Sequence, residues 1–365
     1  MTTFDTTAMH SRTEHPVVTR QVLMDYLLPA ETDIKVFGNG HINKTYLLTA
    51  GDRRVILQQI NTAIFPSAED LVQNALKIEQ HLLAKQQQGC YPMQVLRQQA
   101  KVDGSFLAGQ EGNLRALQFI KHGSSLEVVE TTAQAHAAAL TFGQFAAALA
   151  DFDATSLVTV IPDFHNLSMR FNQLKHAIAA DQVGRLAGCQ ALVDFCLEQQ
   201  HLIDALAAMA KKLPLRVCHN DTKINNMLYS AAEGRGIAAI DLDTCMAGYW
   251  MFDFGDMVRT CCSPEAEDSL NTEQVRIRPD VFQALADGYL QGLAGVITDA
   301  ERESLLLGAQ VMCLMIGIRF LADHLNGDTY FAVKRPNHNL QRAQNQIRLY
   351  QDLVAQQERL KSCFY

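Results

Sequence analysis

The spacing of apolar residues divides this chain into two regions of different character. Residues 17–30 predict a short helix that ends before a turn. The stretch KVFGNGHINKTYLLTAGDRRVILQQIN, residues 35–61, is broken by turn signals at Gly38-Asn39-Gly40 and Gly51-Asp52, and predicts three strands. Over 68–87, Leu71, Ala75, Ile78 and Leu82 recur at three- and four-residue spacing, the period of a helix with one buried face. Two more strands are expected around 93–97 and 114–120, with a turn at Asp103-Gly104. Three strands, a helix and two further strands make a mixed α+β lobe of about 120 residues.

Beyond it the pattern is mainly helical. Residues 131–150 are Ala-rich and carry no charge between Glu130 and Asp151, so this helix should lie buried among others. A second long helix is expected over 186–211. Further helices are predicted at about 279–293, 299–323 and 338–360, the last polar enough for a wide exposed face. Residues 215–245 read as strand–loop–strand. The segment FIKHGSS after the last strand of the first region places the boundary near Phe119–Ser124, giving lobes of 1–121 and 122–365. Residues 1–15 are polar and predict no ordered element.

With 48% hydrophobic and 19% charged residues, the composition is that of a soluble globular enzyme. The 31 basic and 39 acidic residues give a net charge of −8, which disfavours nucleic acid or an anionic membrane as the main partner. The longest apolar run, 305–318, contains Gln310 and falls short of a membrane span, so a buried core helix is expected. Nine scattered cysteines with no CxxC spacing predict free thiols and argue against a zinc site. No signal peptide pattern is visible near the N-terminus, and a cytoplasmic location is expected. Oligomeric state is not legible.

The chemistry concentrates in VCHNDTKINNMLYS, 217–230, and AAIDLDT, 238–244. An Asp two residues after a His and five before an Asn, followed by an Asp ending an apolar run, supplies the groups that phosphoryl transfer needs. Asp221 is the candidate catalytic base, and Lys223 is placed to neutralise charge on the transferred group. Asn226 and Asp241 are the candidate Mg²⁺ ligands, because Mg²⁺ prefers hard oxygen donors. His219 reads as a buried residue that fixes the loop. Asp243, on a segment expected to be extended, would share a face with Asp241 and contribute to metal or substrate. Asp253-Phe254-Gly255 looks like a protein-kinase DFG but opens a helix-like segment, so Asp253 is expected to brace a loop or cap a helix. The glycines of the first turn, Gly38 and Gly40, permit close approach to phosphates, and His41, Asn43 and Thr45 are candidates to add side-chain contacts to phosphate or sugar.

These motifs resemble the aminoglycoside phosphotransferase and choline kinase superfamily, whose H-x-D-x-x-x-x-N loop is matched by His219, Asp221 and Asn226 and whose metal-binding I-D is matched by Ile240 and Asp241. The resemblance implies a two-lobed, protein-kinase-like fold with an antiparallel sheet in a small N-terminal lobe and a larger, mainly helical C-terminal lobe, with ATP and Mg²⁺ as cofactors. GNGHINKTYLL, VILQQIN, HNDTKINN, IDLDT and RFLADHLNGDTYF are further similar to the N-acetylhexosamine 1-kinases. That similarity implies transfer of the ATP γ-phosphoryl group to the anomeric hydroxyl of N-acetylglucosamine or N-acetylgalactosamine, activated by Asp221. It makes the Arg319/Asp323 pair, four residues apart on one helix, and Tyr330 candidates for the sugar pocket, with Tyr249, Trp250 and Phe252 as an apolar wall. Protein kinases place a phosphate-binding Lys on the third strand; here VILQ puts Gln58 there, a cofactor-binding candidate whose amide can hydrogen-bond phosphate but not neutralise it, so Mg²⁺, the Gly turn and Arg53, Arg54 or Lys44 are expected to compensate, with Glu79 or Glu69 as the helix partner. Adenine is expected against Leu117–Ile120, including Gln118 and Ile120. A different acceptor (an aminoglycoside, choline or homoserine) is the first alternative. A catalytically inactive nucleotide-binding module is the second, opposed by the intact Asp221, Asn226 and Asp241.

Overall fold

The computed structural model describes residues 16–38 and 42–365. The chain divides into two compact units: residues through Gln73 with Arg97–Phe119, and Asn74–Leu96 with Ile120–Tyr365.

The first unit begins with α1, Arg20–Asp25, whose first turn is capped by the Thr19 hydroxyl accepting from the Val22 N–H at 3.4 Å. Strands β1 (Asp33–Val36), β2 (Lys44–Ala50) and β3 (Arg53–Gln59) follow as an antiparallel meander. The β2–β3 turn needs a left-handed residue, and Gly51 supplies it with φ +59°. Helix α2 spans Ala68–Gln87, as the apolar period predicts. The short strands β4 (Gln98–Gln99) and β5 (Leu107–Ala108) and the longer β6 (Leu114–Gln118) complete a sheet of order β1-β2-β3-β6-β4, with β5 also on β6. One face of the sheet, carrying Tyr46, Leu48, Val55, Leu57, Leu114 and Ala116, packs on Val18, Val22, Leu23 and Tyr26.

The strand expected at 93–97 is not one. Tyr91, Met93 and Val95 alternate because they enter the large core of the second unit, where Gln94 N–H donates to the Ile237 carbonyl at 2.7 Å. Residues 74–96, placed with the first lobe on sequence, therefore belong to the second unit. Ile78 and Leu82 of α2 join the same core.

In the second unit β7 (Ser124–Ser125) precedes α3 (Thr132–Ala148), which opens with a reciprocal capping box between Thr131 and Gln134. Helix α4 (Leu167–Ala180) was not anticipated; its stripe of Leu167, Phe171, Leu174 and Ala177 is sparse in sequence but fully buried. The single helix expected over 186–211 is two, α5 (Gln190–Glu198) and α6 (His201–Ala210), interrupted at Gln199–Gln200. Strands β8 (Arg216–Cys218), β9 (Met227–Ser230), β10 (Arg235–Ala239) and β11 (Met246–Gly248) form two small sheets, β11-β8 and β10-β9-β7. Helices α7 (Trp250–Cys261), α8 (Pro279–Gly292), α9 (Asp299–Leu325), α10 (His338–Ala355) and α11 (Gln357–Lys361) complete the unit.

Glycines set the approach of α7 to α9. A Cβ on Gly308 would lie 2.1 Å from the Met251 carbonyl oxygen, and one on Gly255 would lie 2.4 Å from that of Gly308. Helix α9 is long and apolar enough by composition to cross a membrane, but 78% of its apolar window is buried inside the protein. It is the core helix that the run at 305–318 predicts, and it fixes α7 beneath the motif loop.

Candidate active site

The motif loop runs from the end of β8 through a 3₁₀ turn, Ile224–Asn226, into β9. The β8–β11 and β9–β10 pairings anchor its two ends. Between them the backbone turns at Asn220, whose φ of +64° suits Asn better than most residues. The Asn220 amide holds that turn by donating to the carbonyls of Thr244 (2.9 Å) and Cys218 (3.3 Å).

Asp253, in the first turn of α7, accepts the His219 N–H at 2.9 Å and the Asn220 N–H at 2.7 Å, one on each carboxylate oxygen. The Thr222 hydroxyl donates to the Asp253 carbonyl at 2.6 Å. Burial pushes the Asp253 pKa up to about 7, against the pull of these two N–H donors. Its role is thus the loop brace expected from its place in the sequence.

His219 is fully buried, with its ring edge-on to Phe142 at 5.2 Å and Phe145 at 5.7 Å. Its Nε2 lies 2.9 Å from the Ile240 carbonyl, and its Nδ1 accepts the Asp221 N–H at 3.4 Å. A carbonyl only accepts and an amide only donates, so the proton sits on Nε2. Burial lowers the His219 pKa and keeps the ring neutral.

The loop delivers Asp221 with both carboxylate oxygens engaged. Lys223 Nζ lies 2.8 Å from Oδ1, and Asn226 Nδ2 donates to Oδ2 at 2.9 Å and to the Asp221 carbonyl at 2.8 Å. Burial alone would raise the Asp221 pKa, but the Lys223 ammonium outweighs it and holds the carboxyl below its ordinary value. The same contact raises Lys223. Because Asn226 spends its nitrogen on Asp221, its side-chain oxygen faces the other way as an acceptor. The Ile240 N–H donates to the Asn226 backbone carbonyl at 2.9 Å, which ties the residue before Asp241 to Asn226. Among the described residues no group of three or more His, Cys, Asp or Glu is arranged to hold a metal. An amide oxygen and one carboxylate nevertheless suit Mg²⁺, which takes most of its remaining ligands from phosphate and water.

A charge chain continues behind the loop. Arg259 of α7 pairs with Asp256 at 2.7 Å and Glu267 at 2.8 Å, and Arg342 of α10 reaches Glu267 at 2.6 Å. Beside the loop is a cavity of about 280 Å³ whose walls include Phe164, His165, Asn220, Tyr249 and Phe252. His165 stacks at 4.7 Å on both Phe164 and Phe252. Its pKa falls to about 3 through burial and then through Arg319 and Arg170, the strongest of its charged neighbours, which also include Asp221. The Arg319 guanidinium is surrounded by the rings of Phe331 (5.3 Å), Tyr330 (5.8 Å) and Phe164 (5.9 Å). Burial, then the nearby Arg170, lowers its pKa to about 10. Arg170 donates to the Phe164 carbonyl at 3.1 Å, and its buried Nε has no hydrogen-bond partner among the described residues. A larger cavity of about 370 Å³, bordered by Leu192, Ile347 and Arg348, contains none of the motif residues.

Residues 33–296 match the model of the phosphotransferase enzyme family (APH). The chain belongs to that family. It is an enzyme, a phosphotransferase with a protein-kinase-like fold. An aminoglycoside phosphotransferase from Alicyclobacillus acidocaldarius has a similar fold at TM-score 0.58 and 14% identity, over 97% of this chain and 100% of that one. Plasmodium vivax ethanolamine kinase is similar at TM-score 0.52 and 13% identity, over 87% and 82% of the two chains. Cryptosporidium parvum choline kinase is similar at TM-score 0.52 and 13% identity, over 89% and 91%.

In this phosphotransferase several sequence expectations change. Asp241 and Asp243 do not alternate on an extended segment: β10 ends at Ala239, Asp241 turns left-handed with φ +61°, and Asp243 lies buried in a 3₁₀ turn. Arg319 and Asp323 do not pair. Asp323 instead organises the following loop, accepting the N–H groups of Thr329 (3.0 Å), Tyr330 (2.8 Å) and Phe331 (2.9 Å) and the Asn339 amide (2.9 Å). Tyr330 is largely exposed. Trp250 is not a pocket wall; it is buried, with Arg216 over its ring at 4.5 Å, while Tyr249 and Phe252 do line the cavity.

In the first unit Gly38 takes φ +77°, while Gly40 and His41 lie outside the described residues. Asn43 Oδ1 accepts the Asn61 N–H at 3.0 Å. Arg53 does not stand in for the missing Lys, since it donates to the carbonyls of Tyr26 and Leu27, both at 2.8 Å. Arg54 lies over Phe119 at 5.3 Å. The side chain that meets Gln58 is Arg115 of β6. Gln118 is exposed at the end of β6, and Ile120 is buried against Ile237 and Ala238. Arg115, Arg170 and His165 escaped the sequence reading. Arg115 had one signal, a lone cation inside the apolar strand LRALQ; the other two had none.

Proposed function

We propose that this phosphotransferase is a small-molecule kinase that moves the γ-phosphoryl group of ATP to a hydroxyl, most consistently the anomeric hydroxyl of N-acetylglucosamine or N-acetylgalactosamine. The observation that carries the chemistry is the Asp221 carboxylate, ionised and held between Lys223 at 2.8 Å and Asn226 at 2.9 Å on a loop braced by Asp253. A fixed carboxylate of this kind accepts the hydroxyl proton as the acceptor oxygen attacks. Lys223, already paired with it, offsets negative charge on the transferred group. Asn226 and Asp241 would hold Mg²⁺, which supplies charge neutralisation at the phosphates. No side chain is needed as a covalent carrier, so transfer is direct and in line.

The acceptor reading is supported by the cavity beside the loop. Its walls carry aromatic rings suited to a sugar face, and the Arg319 guanidinium lies 5.9 Å from one of them, Phe164. The nine free cysteines are consistent with a reducing, cytoplasmic setting.

The test is ³¹P NMR of the full chain with Mg-ATP and each sugar, beside Asp221→Asn. An anomeric sugar-phosphate signal growing with ADP, and lost in the variant by about 10²–10⁴-fold in rate, is expected. ATP left intact with both sugars in a sample that binds nucleotide would sink the acceptor assignment. Undiminished turnover in Asp221→Asn would sink the base.

A further inference from the structure

A row of three side chains crosses the sheet of the first unit in register: Thr45 on β2, Gln58 on β3 and Arg115 on β6. Their neighbours Tyr46, Leu57, Leu114 and Ala116 pack toward α1, so by strand alternation the row occupies the opposite face. Arg115 donates to Gln58 Oε1 through Nε at 3.1 Å and Nη2 at 2.7 Å. A guanidinium has no acceptor, so the atom facing it is the amide oxygen, and the orientation of Gln58 is settled by chemistry. The Gln58 nitrogen therefore points the other way, donating one N–H to Thr45 Oγ1 at 3.3 Å. Its second N–H has no partner among the described residues, and Gln58 is only partly buried. Since Thr45 Oγ1 accepts in this bond, the hydroxyl proton points onward as a further donor.

We propose that this row is the phosphate-recognition device of the first unit: Arg115 is a positioning residue that orients and polarises Gln58, and Gln58 and Thr45 present donors to the ATP phosphates. It rests on the reading of ATP as the phosphoryl donor. The direction of donation runs outward from a buried cation through an amide to a hydroxyl, and each bond strengthens the next. The outer end offers two donor hydrogens, the free Gln58 N–H and the Thr45 O–H, which fits anionic oxygens. It accounts for Gln58 at the strand position where a Lys is expected: the charge has moved one strand over, and the neutral amide carries its effect.

The test measures ATP and adenosine affinity by calorimetry on the full chain, with melting curves as a fold check. In Gln58→Glu the carboxylate still pairs with Arg115 but turns acceptors toward the phosphates. ATP binding should weaken by about tenfold or more while adenosine binding stays within about twofold. Arg115→Gln should weaken ATP selectively too. The double variant Gln58→Lys/Arg115→Gln, which moves the cation onto β3, should recover most of the ATP affinity. ATP affinity within about twofold of wild type in a folded Gln58→Glu, or parallel losses of ATP and adenosine, would overturn the proposal. A wild-type chain that fails to bind ATP would remove the donor reading itself, and the proposal with it.

Discussion

Replacing Asp253 with Ala tests whether the catalytic loop is held from α7. The substitution removes the acceptor for two buried backbone N–H groups, those of His219 and Asn220, and leaves the Thr222 bond to the residue 253 carbonyl in place. An unsatisfied buried donor costs about 1–3 kcal/mol, so the two together cost about 2–6 kcal/mol. At about 2–4 °C per kcal/mol for a protein of this size, the melting temperature should fall by roughly 5–20 °C. Asp253→Asn keeps one acceptor oxygen and turns its nitrogen toward the second N–H, so about half of that loss is expected. Because Asn220 sits directly before Asp221, a slackened turn displaces the proposed base, and a shift of about 1 Å costs on the order of 10²-fold in turnover. Thermal melts and coupled ADP-release kinetics on both variants read the two effects separately. Two variants that melt within about 1 °C of wild type with unchanged kcat would refute the brace.

Three further expectations follow from the packing. Arg259→Met leaves Asp256 buried without its 2.7 Å partner and should destabilise by about 3–5 kcal/mol, measured by urea unfolding. A Glu267→Gln variant, which keeps that partner, should lose less. Gly308→Ala drives a methyl into the Met251 carbonyl between α9 and α7, costing about 1–3 kcal/mol or more through forced separation of the helices; a neutral result would contradict the packing. Burial holds His219 below the usual histidine pKa and His165 at about 3, so the unfolded chain takes up protons first as pH falls. Stability should therefore decline below about pH 6.5, by at most about 1.4 kcal/mol per pH unit for each ring, with the His165 share reduced by its partial solvent exposure. Denaturation at pH 7.5 and 5.5 should show a shallower decline in His165→Gln, and an equal slope would discount that ring.

The motif loop was legible because phosphoryl transfer requires particular groups at short, fixed separations. Asp221, Lys223 and Asn226 are local in sequence, and the 3₁₀ turn after Lys223 brings them together without help from distant elements. The helix at 68–87 was equally legible, since a single buried face imposes its period on the residues themselves. The sequence alone thus determined the chemistry, the two regions and the main helices. What it could not determine were features that depend on partners far along the chain. The alternation at 93–97 records burial in a core rather than strand pairing, and periodicity cannot tell the two apart. Asp323 sits four residues from Arg319, a helix-pair spacing, yet the loop at 329–331 offered it three N–H groups and took it away. The partner of Gln58 could not be read either, because β6 sets Arg115 beside it from 57 residues away in sequence. A pair across a sheet is chosen by strand order and register, which long-range packing fixes and local sequence does not encode.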